Sequence, residues 1–462
     1  MVVRKVLFLL LCSLLIVFAA ACSSGSNGTE ANNVVTNVDG GGNEAGNTTL
    51  GEDELEQTNP NATPELDFDL GGRVITWVSS YDETIKDDTP DGAKRLANLE
   101  ALKEKHNFEL EFITIDLGEY QEKVTASLMA GQPVGDIIRL ARGQMIPSLT
   151  KLDLFWPVDE YVANTDVFLQ QDTFEYSYYN GRGYGFKSGI NSSARGVIYN
   201  RTLMNQLGMK PLQEYVDEDN WNWETFLQVA KEANWDTNND GKLDTWGLAS
   251  APFNFILASN TGANFVIDGK SGLEDPKTLE VLEFMSRLAT EQVVRPTEGG
   301  DWTEPKQFFT QGNTLMFFGA DYDMDSLNTD MSDYDLGFLP TPKGPSATMY
   351  HGFVTSPSYL TIPKTVEDPD KILYLYEKIF DIESVYEYPH QAGFEKRFAT
   401  EEDVNNARET VKNVRFLEII DGYPNMPYYE IVEELNEGIS VSTVVEKYKA
   451  QMDSSIAELW AD

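Results

Sequence analysis

The residues with the clearest capacity for chemistry form one short turn. Asp236-Thr237-Asn238-Asn239-Asp240-Gly241-Lys242-Leu243-Asp244 has the pattern D-x-N-x-D-G-x-x-D. A hard cation such as Ca²⁺ takes oxygen donors gathered around a tight bend. The spacing offers the side chains of Asp236, Asn238 and Asp240, the carbonyl of Lys242, and Asp244 at a position often filled through a water. Gly241 permits the bend. An EF-hand would carry a bidentate Glu three residues after Asp244, and Gly247 stands there instead. A bare Asx-rich turn needs no metal at all. A structural Ca²⁺ site and a metal-free turn are therefore both open readings. Other chemical signals are thin. The chain has three His and two Cys, with neither a zinc-ligand spacing nor a phosphate-cradling glycine motif.

The two cysteines belong to the N-terminus. Arg4 and Lys5 precede an apolar run from Val6 to Ala21, broken only by Cys12 and Ser13. That is the pattern of a secretory signal, and the run is short for a membrane span. Ala19-Ala20-Ala21-Cys22 then resembles a bacterial lipobox, although Leu is commoner where Ala19 stands. Residues 1–21 are read as the signal peptide and Cys22 as the lipidated first residue of the mature chain. A non-lipidated signal that happens to contain Cys is the alternative. Cys12 would leave with the signal, so Cys22 has no disulfide partner. Several acyl chains on one residue give the anchoring that a single chain cannot. From Ser23 to Glu65 there is neither Lys nor Arg, and Ser, Gly, Asn and Thr dominate. Such a segment buries too little surface to offset chain entropy, so residues 22–66 are read as a flexible tether.

The rest is long enough for two lobes. Aromatic residues make up 11%, with eight Trp and 21 Tyr, enough for a large core and for ligand surfaces besides. The formal charge of −40, from 75 acids and 35 bases, repels nucleic acid and anionic membrane surfaces, so neither is expected as a direct partner. It also disfavours long-range capture of anionic ligands, which a local basic pocket can override. Periodicity places strands at Val74–Val78, Glu109–Ile115 and Gly135–Ile138. Helices lie between them, carrying Ala93, Leu96, Leu99 and Leu102, then Tyr120, Val124 and Leu128. That alternation predicts a parallel α/β sheet with crossover helices. Asn222 is placed to cap a helix with the stripe Phe226, Val229, Ala230 and Ala233. Ile372, Leu375, Tyr376 and Ile379 mark another helix. Val444, Val445, Tyr448, Met452, Ile456 and Leu459 mark a long C-terminal one.

Several segments, in order, resemble the carbohydrate-binding extracellular solute-binding proteins of ABC importers, the group that includes maltose-binding protein. They are YQEKVTASLMAGQPVGD (120–136), LDLFWPVDEY (152–161), RGVIYN (195–200), WNWETFLQVA (221–230), DTWG (244–247), FFTQGNTLMFFG (308–319), LPTPK (339–343) and LTIPK (360–364). The resemblance implies an α/β clamshell of two lobes, each a mostly parallel sheet flanked by helices, with the ligand cleft between them. The first lobe would be 67–193 plus 338–382 and the second 194–337 plus 383–462. It also implies a monomer outside the cytoplasm that captures a carbohydrate, an oligosaccharide by preference, and hands it to permease subunits. Some members, alginate-binding ones included, hold Ca²⁺ in a loop similar to 236–244. A surface enzyme acting on glycosides, or a sugar sensor that delivers nothing, is the alternative; hydrolysis would need two carboxylates facing each other across the bond.

Sugar rings present apolar C–H faces and a rim of hydroxyls, so their sites combine aromatic platforms with carboxylates, amides or Arg. In a parallel sheet such groups gather at the carboxyl ends of strands. Trp77 and Tyr81 close the first strand, and Asp136 and Arg139 flank the third, with Arg142 just beyond. In the second lobe the candidates are Trp246, and then Phe318, Asp321 and Tyr322 where the family carries stacking aromatics. Trp302, beside Asp301, and His351 stand on loops expected near the cleft. Core packing is the competing reading for each aromatic, and a loop hydrogen bond for Asp136 and His351.

Overall fold

The computed structural model describes residues 63–169, 174–188, 193–299, 302–419 and 422–460. The segment read as a signal peptide (1–21), the expected lipidation residue Cys22, most of the expected tether 22–66, and Asp301 lie outside the described residues.

Gly71 and Gly72, at φ of 65° and 79°, turn the chain into strand β1 (Arg73–Ser79). Thr89 accepts from the Gly92 amide and caps helix α1 (Pro90–His106), whose first turn carries proline where a missing N–H costs nothing. Strand β2 (Phe108–Thr114) runs parallel to β1 from Arg73↔Phe108 to Ser79↔Thr114. Asp116 caps α2 (Leu117–Met129), which buries the stripe Tyr120, Val124 and Leu128. Strand β3 (Ile137–Ala141) lies parallel to β1 on its other side. It begins two residues later than the spacing predicts. Gly135 packs too tightly against Val78 for any side chain, and the Asp136 amide is already spent on the Thr76 carbonyl.

The chain then builds a second sheet. Strand β4 (Arg195–Asn200) leads to α3 (Trp223–Glu232), capped as expected by Asn222, whose side chain accepts from the Glu224 and Thr225 amides. Next come β5 (Trp246–Leu248), α4 (Phe253–Ser259), α5 (Pro276–Thr290), α6 (Glu304–Thr310), β6 (Thr314–Ala320) and β7 (Leu336–Pro340). The strand order is β7-β4-β6-β5. Only β5–β6 is parallel, so this sheet departs from the mostly parallel expectation. The cause is β4, the strand that carries the crossover, which enters antiparallel to both neighbours.

Strand β8 (Gly352–Val354) follows, and then β9 (Ser358–Thr361) joins the first sheet antiparallel to β3, completing the order β9-β3-β1-β2. The return to the first lobe, expected at 338, is thus corrected. Residues 338–340 belong to β7, where Phe338 pairs with Ile198 and Pro340 with Gly196. Helix α7 (Pro369–Phe380) packs on α1, and its expected stripe is buried. Helix α8 (Glu401–Lys412), strand β10 (Val414–Phe416, parallel to β8), α9 (Tyr428–Asn436) and α10 (Val441–Trp460) finish the chain.

Each sheet has its own core. On one face of the first sheet Ile75, Trp77 and Phe108 meet Ile372, Leu375 and Tyr376 of α7. On the other face Val78, Ile138 and Tyr359 meet α2. The second sheet packs Val197, Met316 and Phe318 against Trp221, Phe226 and Phe284. Among the described residues no helix is long and apolar enough to cross a membrane.

Candidate functional site

The register of the second sheet decides what its strands can present. Ala320 pairs with Arg195, so the carboxyl end of β6 sits beside the start of β4. Trp246 pairs with Thr314, at the opposite end of β6. A cavity of about 1930 Å³ includes residues from both ends in its wall. Its apolar surfaces are Trp246, Phe255, Phe317, Phe318, Trp302 and Tyr322, with Pro252, Val294 and Pro296 between them. Its polar surfaces are Arg195, Arg295, Lys306, Asp323, Asn313, Ser250 and Thr297. Trp302 is 90% exposed and Tyr322 49%, so both rings are open to a ligand, whereas Phe318 is packed between Phe226 and Phe255 at centroid distances of 5.5 and 5.2 Å. Of the sequence candidates, then, Trp246, Trp302, Phe318 and Tyr322 come together here.

A second cavity, of about 920 Å³, lies against the first sheet and is lined by Trp77, Arg139, Glu83, Arg95, Tyr376 and the segment 380–390. Trp77 is only 5% exposed, and its ring packs on Phe112 and Tyr376. Its indole N–H donates to Glu83 Oε2 at 2.6 Å, and the other oxygen of Glu83 pairs with Arg139. The Arg139 guanidinium also lies 5.6 Å from the centroid of the exposed Tyr81 ring.

Four candidates line neither cavity: Tyr81, whose exposed ring lies under Arg139, and Asp136, His351 and Asp321, which hydrogen bonds within the protein engage. Asp136 accepts from the Thr76 amide (2.9 Å) and hydroxyl (3.0 Å) and pairs with Arg73 at 2.5 Å. It closes the entry to β3. His351 bonds the Thr261 hydroxyl through Nε2 (3.0 Å) and the Asn413 carbonyl through Nδ1 (3.2 Å); burial pushes its pKa down. Asp321 is 4% exposed and accepts from Arg397 at 2.6 Å. Burial pushes its carboxyl above the usual range although Arg397 and His390 pull the other way.

The Asx-rich turn is ordered by its own amides. Asp236 accepts from Gly241 N (2.8 Å), Asn238 from Asp240 N (2.8 Å), and Asp240 from Lys242 N (2.8 Å). Asp244 accepts from Thr237, whose hydroxyl and amide hold its carboxyl below the ordinary range. Gly241, at φ 86°, supplies the bend. The donor set is all oxygen and includes the carboxylates of Asp236, Asp240 and Asp244, the donor type a hard cation takes. Among the described residues, however, no three acidic, His or Cys side chains converge as a ready cage. Gly241, Lys242 and Asp244 also line the larger cavity, so this turn is not remote from it.

Sequence reading missed Glu83, Arg195, Phe255, Arg295, Lys306 and Asp323. Arg195 opens RGVIYN and could have been found, because a charge at the head of an otherwise apolar strand must face an opening. The others reach their places through tertiary packing.

Two sheets joined by crossovers, each with a cavity at its surface, define a binding protein fold of the periplasmic type. The chain belongs to the bacterial extracellular solute-binding protein family, whose model matches residues 86–376. No curated protein sequence matches the chain. Among solved structures it is similar to M. tuberculosis UspC (14% identity, TM-score 0.59, covering 83% of this chain and 100% of that one). It is also similar to Lmo0181 from Listeria monocytogenes, an ABC substrate-binding protein in complex with cycloalternan (15%, TM-score 0.56, covering 84% and 99%). A third is the sugar-binding protein MalE from Xanthomonas citri (14%, TM-score 0.56, covering 83% and 98%). At these identities the likeness establishes the fold.

Proposed function

We propose that this protein is the carbohydrate-binding component of an ABC importer, held outside the cell membrane by a lipid on Cys22. One observation carries the reading. The larger cavity interleaves exposed or part-exposed aromatic faces with Arg, Lys, Asp, Asn and hydroxyl groups, the two kinds of surface a sugar ring requires. Its size suits more than one ring, which favours an oligosaccharide. Two of the similar structures are described as binding cycloalternan or sugar, which supports the same class. The protein acts as a monomer and delivers ligand to permease subunits without altering it.

Capture proceeds by lobe closure, which a ligand favours only through contacts it makes better in the closed state. Contacts that cross between the two parts support this. Arg142, after β3, reaches Glu418 at 3.4 Å, and Tyr176 packs on Phe416 of β10 at 4.5 Å between centroids. The test is an oligosaccharide panel followed by thermal shift and by the mass of the recovered sugar. Binding with the sugar intact is expected. Cleavage would replace the reading with an enzyme, and absence of any binding would remove it.

Residues 236–244 are proposed to take Ca²⁺, drawing Asp236, Asn238, Asp240 and Asp244 together in place of part of their amide bonding. The ion would stiffen the wall next to Trp246. A lower melting temperature in EGTA, restored by Ca²⁺ and abolished by Asp240→Ala, is the expected result. An unchanged melting temperature refutes the metal.

A further inference from the structure

The wall of the larger cavity reverses the charge balance of the chain. The whole protein carries 75 acids against 35 bases. Among the described residues the cavity wall has four bases, Arg195, Lys242, Arg295 and Lys306, against three acids, Asp244, Glu298 and Asp323. Each of those acids is already engaged. Asp323 pairs with Lys306 at 2.9 Å and Glu298 with Arg295 at 3.4 Å, while Asp244 accepts from Thr237. The two ion pairs cancel, and what they leave among the described residues is Lys242 and Arg195 against the still-charged Asp244, a net of one positive charge. Lys242 is exposed at the rim, but Arg195 is half-buried, and among the described residues it has no carboxylate within salt-bridge reach.

The setting of Arg195 is specific. It is the first residue of β4, paired with Ala320 at the strand end from which Tyr322 follows. Its guanidinium lies 5.1 Å from the ring centroid of Phe353, itself 1% exposed. An aromatic beneath a guanidinium fixes its plane and leaves the in-plane N–H groups unspent. Those groups form the fork that matches a carboxylate in a bidentate pair. A half-buried cation with no described carboxylate in salt-bridge reach is poorly compensated, and an anionic ligand group supplies what is missing.

We propose that the ligand is an acidic oligosaccharide, one containing uronic acid units, with Arg195 as the anchor for a sugar carboxylate. This rests on the carbohydrate reading above and narrows it. The acidity of the rest of the molecule does not oppose it in the bound state. Long-range repulsion slows the approach of an anion, and a local cation at contact distance acts after approach.

The full-length protein in detergent is titrated calorimetrically with three size-matched probes: an oligogalacturonate, a neutral oligosaccharide, and a sulfated oligosaccharide. The uronate is expected to bind at least tenfold more tightly than either of the others. Arg195→Met should lower uronate affinity at least tenfold more than it lowers neutral-sugar affinity, so that the preference is lost, and Arg195→Lys should restore part of it. If Arg195→Met does not fold, the native protein still decides, because a preference made by charge must shrink as salt is raised. Equal binding of neutral and acidic sugars overturns the proposal and leaves the carbohydrate reading intact. Preference for the sulfated probe overturns the carboxylate assignment. Failure of all three probes removes both.

Discussion

The two cavities present similar residue types in opposite conditions. On the first sheet, Trp77 and Arg139 share one partner, Glu83, so the indole N–H and the guanidinium are both already answered within the protein. Beside the second sheet, Trp302 and Tyr322 stand open, and Arg195 has an aromatic ring beneath it and, among the described residues, no carboxylate in salt-bridge reach. A site is made by side chains that folding leaves incomplete. By that measure the open side chains beside the second sheet are the proposed ligand surface, while those of the first are committed to the fold.

The sharpest way to break this comparison is to truncate one Trp on each side. Trp77→Ala removes a ring that packs on Phe112, Tyr376 and Phe380, so the loss falls on stability. A cost of about 3–5 kcal/mol is expected for emptying a Trp-sized space in a core. Denaturant unfolding should show it, with the affinity of the surviving folded fraction unchanged. Binding lost at unchanged stability would move the site to the first sheet.

Trp246→Ala should behave the other way. Its ring is part-exposed in the wall of the larger cavity, and its backbone pairing with β6 does not depend on the side chain. Losing one stacking platform is expected to weaken oligosaccharide binding about tenfold, roughly 1.4 kcal/mol, with little change in melting temperature. Calorimetry of the variant beside the native protein measures it. An unchanged affinity would confine the site to the Tyr322 end of the cavity, since the two residues flank opposite ends of β6.

Much of the frame was legible in the sequence because local rules generate it. Asn222 caps its helix as its spacing predicts, and the stripes of α2 and α7 are buried. In α1 Leu99 and Leu102 are buried and Leu96 is half-buried, while Ala93, expected on the same stripe, is exposed. The β4–β6 and β4–β7 pairings were not legible. Strand direction in a mixed sheet is set by which neighbour a crossover strand finds, and an apolar run such as Arg195–Asn200 reads alike in either direction. The site was legible by residue type and not by role. Trp77 and Trp246 both read as aromatic candidates for a sugar platform, and only tertiary contacts show that one is enclosed. Asp136 and Arg139 had the right chemistry for a sugar, but Arg73 and Glu83, distant in sequence, take it up.

The same distinction extends to a smaller effect at His351, which sequence placed near the ligand and the fold places among protein groups. Burial and the nearby Arg415 both disfavour its charged form, while its bond to the Asn413 carbonyl favours it, and burial dominates, so the folded pKa falls below the ordinary 6.5. The unfolded chain therefore takes up a proton first as pH drops. Protons bound in the unfolded state then exceed those in the folded state, and stability declines as pH falls from about 6.5 through the lower folded value. His351→Gln keeps a group able to bond Thr261 and cannot titrate. Its unfolding free energy, followed by urea titration across that range, should decline less steeply than that of the native protein, with ligand affinity unaltered at neutral pH. A parallel slope would mean that His351 titrates alike in both states, and a loss of affinity would return it to the ligand.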